Sequence, residues 1–149
     1  MYERFTDPAR RVMRLAKSEA MRFQYGHIGS AHILLGLLKT GSFVGVSVLE
    51  NLHVDINAIC LEVERLIARE SGGDVATNWP VPGPEAKVVV ESAIDESRRF
   101  GHDYVGTEHL LLGLLRDVEG IGAKVLTSRG IKIEIVRSEI LNVLGPSMG

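Results

Sequence analysis

The side chains that could do chemistry in this chain are few: five histidines, one cysteine and a small set of carboxylates. A zinc site needs three or four ligands converging on one point. His27 and His32 stand five apart and His102 and His109 seven apart, and neither spacing sets two rings on one helical face. His53 stands alone. Cys60 falls on an apolar helical stripe, the setting of a buried structural thiol rather than a nucleophile. No Gly-x-Ser-x-Gly, no His-Glu-x-x-His and no cysteine pair occurs. Gly36 with Gly41-Ser42, and Gly101 with Gly106-Thr107, have the glycine spacing of a phosphate loop but lack its lysine. The expectation is a chain with no catalytic residue, no metal site and no cofactor.

What the chain carries instead is repetition. His-Ile-Gly-Ser-Ala-His-Ile-Leu-Leu-Gly-Leu-Leu-Lys at 27–39 returns 77 residues later as Tyr-Val-Gly-Thr-Glu-His-Leu-Leu-Leu-Gly-Leu-Leu-Arg at 104–116. The offset holds in both directions: Ala9, Val12, Ala16 and Glu19 land on Ala86, Val89, Ala93 and Glu96, and Gly45, Val48 and Leu49 on Gly122, Val125 and Leu126. Roughly a third of the paired positions are identical, the mark of a duplicated unit.

Duplication sorts the polar residues. His32 and His109 match, each opening an apolar helix, and a ring nitrogen bonded to a nearby backbone carbonyl would lock the loop before it. Glu19 and Glu96 match but have no repeated basic or nucleophilic companion, so a structural hydrogen bond to a loop amide is expected of them rather than acid–base work. One matched position differs: Ala31 in the first copy against Glu108 in the second. Stabilisation of a helix start by a carboxylate is a sufficient account of Glu108. The other account is recognition. Free amides at a helix start bind anions, and a carboxylate beside them takes a guanidinium or amine. A ligand bearing both charges would fit the second copy alone.

The elements that must hold these residues read as four short helices per copy. Asp7 is placed to cap the first, with Pro8 at its first helical position. Ala9, Val12, Met13, Ala16, Ala20 and Phe23 recur at helical steps and form its inward face, with Gly26 as its stop. Pro84 opens the matching helix, which Gly101 ends. The second helix of each copy, from Ile33 to Leu38 and Leu110 to Leu115, is apolar all round and belongs at the centre, with Ser30 and Thr107 at the N-cap. Gly36 and Gly113 within it imply close approach of another helix. The third covers about Phe43–Asn51 and Gly120–Ser128. The fourth opens at Asp55 and near Lys132 and turns Ile56, Ile59, Cys60, Val63 and Ile67, or Ile133, Val136, Ile140 and Leu144, inward. The division is therefore 1–68, a Gly- and Pro-rich linker at 69–83, and 84–145, with 146–149 as a tail. Trp79 either pins the linker to the lobes or serves a binding surface, and pinning is favoured.

A hydrophobic share of 45% in 149 residues suffices for a core, and aromatics at only 5% favour helix packing on Leu, Ile, Val and Ala. The net charge of −2 argues against general nucleic-acid binding. Charged residues interrupt every apolar run before membrane-spanning length. A single cysteine and the polar opening Met1-Tyr2-Glu3-Arg4-Phe5 fit a cytoplasmic location.

The doubled Gly-[Ser/Thr]-x-His-[Ile/Leu]-Leu-Leu-Gly-Leu-Leu block, with the opening Tyr-Glu-Arg-Phe-Thr-Asp-Pro-Ala-Arg-Arg, resembles the Clp repeat domain. This is the N-terminal domain of Clp-type AAA+ unfoldases, and the similarity is greatest to the ClpC branch. The resemblance runs from Tyr2 to about Leu144. It implies an all-α fold of two tandem four-helix repeats related by a pseudo-twofold axis. It also implies a recognition module without an ATPase motif, which docks adaptor proteins and protein substrates for an AAA+ ring, in cis or in trans, and indirectly for a Clp peptidase. The alternative is a free-standing Clp-repeat protein acting as an adaptor or competing for adaptors. In ClpC-type members the loop-and-Glu element recognises phosphorylated arginine. The second copy keeps Val105, Gly106, Thr107 and Glu108 of that element. The first keeps Ile28 and Gly29 but has Ser30 and Ala31, so one competent site is expected, with Glu108→Ala weakening phosphoarginine binding and leaving the melting temperature nearly unchanged.

Overall fold

The computed structural model describes residues 2–70 and 79–145, and among these the chain forms eight helices in two sets of four. The first set is α1 (Asp7–Arg22), α2 (Ser30–Lys39), α3 (Val44–Asn51) and α4 (Ile56–Glu70), with the two-residue strand β1 (His27–Ile28) before α2. The second is α5 (Pro84–Arg99), α6 (Thr107–Arg116), α7 (Ile121–Ser128) and α8 (Ile133–Leu144), preceded by β2 (Val81–Pro82). Most of the expected linker, residues 71–78, and the tail at 146–149 lie outside the described residues.

The cap of α1 is Thr6 rather than Asp7: its hydroxyl accepts from Ala9 N at 3.2 Å, while Asp7 and Pro8 occupy the first two helical positions, where backbone N–H groups have no helical acceptor. The stop is also displaced from expectation. Gln24, not Gly26, takes the left-handed conformation (φ 63°), matching Gly101 (φ 72°) at the 77-residue offset. A side chain in that region costs about 1 kcal/mol, which the closing bond from Tyr25 N to Ala20 O at 2.8 Å helps to offset.

The paired apolar helices α2 and α6 are central, with every residue of 30–38 and 107–115 buried. Each packs closely on the first helix of its own set. A β-carbon at Gly36 would collide with the Val12 carbonyl, and one at Gly113 with that of Val89, so glycine is required by the approach of a backbone. The stripe of α4 packs as expected, with Ile59, Val63 and Ile67 buried and Cys60 half-buried. On the matching stripe of α8, Val136 and Ile140 are buried but Leu144, the last residue of the helix, is 40% exposed.

Glu19 and Glu96 hold ion pairs, not loop amides. The Glu96 side chain is fully buried, and Arg137 grips it through Nε at 3.0 Å and Nη2 at 2.8 Å, with Arg116 adding a contact at 3.2 Å. Burial pushes the Glu96 carboxyl up, but these cations leave it below the ordinary glutamate value. Glu19 takes Arg22 at 2.8 Å and Lys39 at 3.1 Å. Cys60 stands at the position matching Arg137, so the first copy has a thiol where the second has a guanidinium. Burial raises that thiol's pKa, which disfavours its thiolate.

The two sets are interleaved. The segment before α5 pairs in parallel with the loop before α2, through Gly83 N to Ile28 O at 3.0 Å. The segment before α1 pairs in the same way with the loop before α6, through Thr6 N to Val105 O at 3.0 Å and Val105 N to Arg4 O at 2.8 Å. Each copy therefore supplies the leader that braces the other's loop. The first of these pairings ties residues 81–83, the end of the expected linker, to the first set. Trp79 is 73% exposed, and its ring is covered by the Lys17 ammonium at 3.2 Å from the centroid.

Candidate binding site at the repeat loops

Both loops enter their helices by one device. Gly29 and Gly106 are the N-caps in extended conformation, one position earlier than expected. Their N–H groups are accepted by Nδ1 of His32 and His109, each at 2.9 Å. The histidines thus lock the loops as expected but through the opposite polarity, accepting from an amide rather than donating to a carbonyl. Ser30 and Thr107, freed from capping their own helices, reach across. The Thr107 hydroxyl accepts from Gly45 N at 2.9 Å, near the start of α3, and the Ser30 hydroxyl faces Gly122 N at 3.5 Å, near the start of α7. Phe43, the N-cap of α3, has no capping group of its own, so the other copy supplies it.

Around the second loop a cavity of about 430 Å³ is lined by Tyr104, Gly106, Thr107 and Glu108, and by Thr6, Ser42, Phe43, Val44 and Ser47 of the first copy. Glu108 is only 2% exposed, and its carboxylate accepts from the Tyr104 hydroxyl at 2.9 Å. Burial raises the Glu108 carboxyl above the ordinary value. Its own backbone N–H and the Tyr104 hydroxyl oppose that shift without cancelling it. Tyr104 is raised in turn by burial and by the Glu108 charge. The Thr107 N–H, first in α6, makes no hydrogen bond among the described residues. Amide and carboxylate thus stand on adjacent residues at one helix start. Because Glu108 is buried and bonded, altering it must also change folding energetics, contrary to the expectation of an unchanged melting temperature.

Around the first loop a cavity of about 220 Å³ is lined by Tyr25, His27, Ile28, Ala31, Ile67 and Ile121, among others. Ala31 supplies no carboxylate, but the pocket has one. Glu85, on α5 of the other copy, lines the cavity and its Oε1 accepts from Ser30 N at 3.0 Å. The amide that is free in the second loop is therefore taken in the first.

With this geometry in place, comparison with known proteins is decisive. The model of the Clp repeat (R) N-terminal domain matches residues 4–128 and 84–148. The chain belongs to the Clp repeat N-terminal domain family. It is 41% identical over 145 residues to the negative regulator of genetic competence ClpC/MecB of Bacillus subtilis, covering 97% of this chain and 18% of that protein. It is 42% identical over 147 residues to the chloroplastic chaperone protein ClpC1 of Oryza sativa subsp. japonica, covering 99% and 16%. The chain thus spans less than a fifth of the length of these relatives. Among solved structures, the N-terminal domain of the chaperone ClpD from Arabidopsis thaliana superposes with a TM-score of 0.72 at 23% identity, covering 97% of this chain and 96% of that one. A ClpV N-domain in complex with a VipB peptide superposes at 0.73 and 17% identity, covering 97% and 89%.

In this Clp repeat domain, folding brings together two histidines that spacing alone had kept apart. His102 Nδ1 lies 2.9 Å from His109 Nε2, and with Glu108 their ligand atoms fall within 4.8 Å of one another. The proton positions do not fit a metal. His109 Nδ1 already accepts an amide, so its proton resides on Nε2 and is donated to His102. Binding a cation there would require an imidazolate. Burial and the neighbouring His102 push the His109 pKa down to about 3, in keeping with a ring held neutral. His102 stacks between Phe100 and Tyr104 at 5.4 and 4.9 Å between centroids, backing the wall that carries Glu108. Sequence reasoning named the loop residues but missed Tyr104, Thr6, Ser47 and Glu85. Only Glu85 had a legible signal, since it is a carboxylate where the first copy has Pro8.

Proposed function

We propose that this chain is a recognition domain that receives adaptor proteins or protein substrates on behalf of a Clp-type ATP-dependent unfoldase, joined to it in cis or assembled in trans. The second loop pocket binds a side chain carrying both charges, a phosphorylated arginine. The observation that carries this reading is the free Thr107 amide beside a buried Glu108 whose ionisation the fold opposes. An anion suits the amide at the helix start, and a guanidinium suits the carboxylate. Arrival of that cation would relieve the opposition, so ligand and site complete each other. The hydroxyls of Thr6, Ser42 and Ser47 add donors for phosphate oxygens, and Phe43 and Val44 supply apolar walls for the side-chain stem. The peptide on the ClpV N-domain, which shares this fold, supports a peptide as the class of ligand. The chain's place in the family supports delivery to a ring and, beyond it, to a peptidase. The test is calorimetry with an arginine-phosphorylated peptide and its unphosphorylated twin. One tight site, lost in Glu108→Gln, is expected for the phosphorylated form. Equal affinity of wild type and variant would overturn the assignment.

A further inference from the structure

The loop that precedes α6 holds a chain of hydrogen bonds that runs in one direction only. Gly106 N–H donates to His109 Nδ1 at 2.9 Å, which leaves the His109 proton on Nε2. That proton is donated to His102 Nδ1, also at 2.9 Å. His109 is fully buried and cannot exchange the roles of its nitrogens, because an amide donor already faces Nδ1. His102 is half-buried, so its ring remains within reach of solvent protons. Its backbone is tied to the end of α5 through His102 N to Ser97 O at 2.9 Å, and the ring is the part that can turn. That ring stacks between Phe100 and Tyr104, and the Tyr104 hydroxyl holds the Glu108 carboxylate. The other ionisable groups around it are His109 and Glu108 on α6, and Tyr104 and Asp103 in its own loop. The first copy has the same ring contact without the titratable group. Tyr25 stands at the position of His102, meets His32 edge-on at 4.7 Å, and donates its hydroxyl to Ile67 O at 2.7 Å.

We infer that His102 is a proton-operated latch on the second loop: neutral, it holds Tyr104 against Glu108, and protonated, it lets that wall open. A proton added at His102 Nδ1 would set two N–H donors head to head across 2.9 Å. The His109 ring is buried and bonded at Nδ1, so the His102 ring is the one that turns. Turning ends its stack with Tyr104. The Glu108 carboxylate, whose ionised form a His102 cation favours, then has an internal cation in place of the Tyr104 hydroxyl. The first loop, with Tyr25 in that place, has no such latch. For a ligand that brings a guanidinium, an internal cation at Glu108 is a competitor, and affinity falls as His102 takes up its proton. That consequence rests on phosphoarginine as the ligand of the second pocket; the latch itself does not.

The test is an NMR titration of the chain without ligand from about pH 8 to about pH 5, the span over which an ordinary imidazole changes charge. His109, with its pKa pushed down to about 3, stays neutral throughout, so an imidazole step in this pair belongs to His102. Shifts of the Gly106 and Glu108 amides, and loss of the exchange-protected His109 Nε2–H signal, are expected at the same midpoint as the His102 ring. In His102→Tyr, which follows the first copy, the step should vanish from both amides. In Glu108→Gln the Gly106 step should remain, which separates the latch from titration of Glu108 itself. Absence of a His102 step in this span, or a step that leaves Gly106, Glu108 and the Nε2–H signal unmoved, would overturn the inference. Persistence of the amide step in His102→Tyr, or its loss from Gly106 in Glu108→Gln, would do the same. No ligand enters the readout, so failure of phosphoarginine binding would leave this result readable.

Discussion

Replacing Glu108 by glutamine is expected to stabilise the fold and disable the second pocket in one step. Two interactions favour the ionised carboxylate: its position at the start of α6, worth about 0.3–1 kcal/mol, and the charge on its hydrogen bond from Tyr104 at 2.9 Å, worth about 1 kcal/mol more than a neutral bond. Against them stands desolvation, which is several kcal/mol for a buried ion even after relaxation, on the order of 3 or more. The balance opposes the charge, as the raised Glu108 pKa records. Glutamine keeps a carbonyl for the Tyr104 hydroxyl and removes the charge, so a gain of about 1 kcal/mol follows, or about 2–4 °C in melting temperature for a chain of this size.

The sign with pH is fixed by the same shift. A carboxyl raised on folding contributes stability that is fully present below its ordinary value of 4.5 and is lost as pH rises through the folded value. Calorimetric melts of wild type and Glu108→Gln should therefore converge at low pH and separate toward neutrality, the variant melting higher. Binding should move the other way. Loss of the charge partner of a desolvated guanidinium is worth about 2 kcal/mol, or about thirtyfold in affinity for an arginine-phosphorylated peptide. A variant that melts lower than wild type at neutral pH, or a difference that does not change with pH, would refute the reasoning and reduce Glu108 to a helix-start residue.

Three further outcomes follow from the geometry. His109 should remain a neutral Nε2–H ring from neutral pH down to about pH 4, read from imidazole nitrogen shifts, because Gly106 N–H occupies Nδ1 and the pKa is pushed to about 3; protonation near 6.5 would contradict this. Gly113→Ala should destabilise by about 2 kcal/mol or more in denaturant melts despite a helix-propensity gain of about 1 kcal/mol, since the new β-carbon meets the Val89 carbonyl. Glu96→Ala should cost about 3 kcal/mol by leaving Arg137 and Arg116 without their shared partner. The Glu96 contribution, being that of a lowered carboxyl, should be present above the ordinary value and fade as pH falls through the folded one.

The helices and the core were legible in the sequence because duplication states each pattern twice: the stripe through Ala9, Val12 and Ala16 and its copy through Ala86, Val89 and Ala93 are buried alike. The requirement for glycine at 36 and 113 was legible for the same reason. What escaped was what only tertiary packing decides, between the copies and within each. Ser30 and Thr107 carry the composition of N-caps, but their hydroxyls cap α7 and α3 of the opposite set. Glu19 and Glu96 had matched basic companions in Lys39 and Arg116, close only once the helices pack. His102 and His109 are brought together by a loop, which helical spacing rules do not describe.

The interleaving also changes what the one visible difference between the copies means. Read along the chain, Ala31 against Glu108 is a site lost in the first copy and kept in the second. In the fold, neither loop pocket belongs to one copy. The second is walled by Thr6, Ser42 and Ser47 of the first set, and the first is entered by Glu85 of the second set. At the first loop the carboxylate comes from the facing helix, where Glu85 meets the helix start from outside and saturates the Ser30 amide instead of leaving it open. The two loops therefore present different groups to their cavities: a carboxylate beside an open amide at one, and a carboxylate on a closed amide at the other. The asymmetry of this domain therefore lies in how the two copies share the building of each pocket, and not in one missing carboxylate alone.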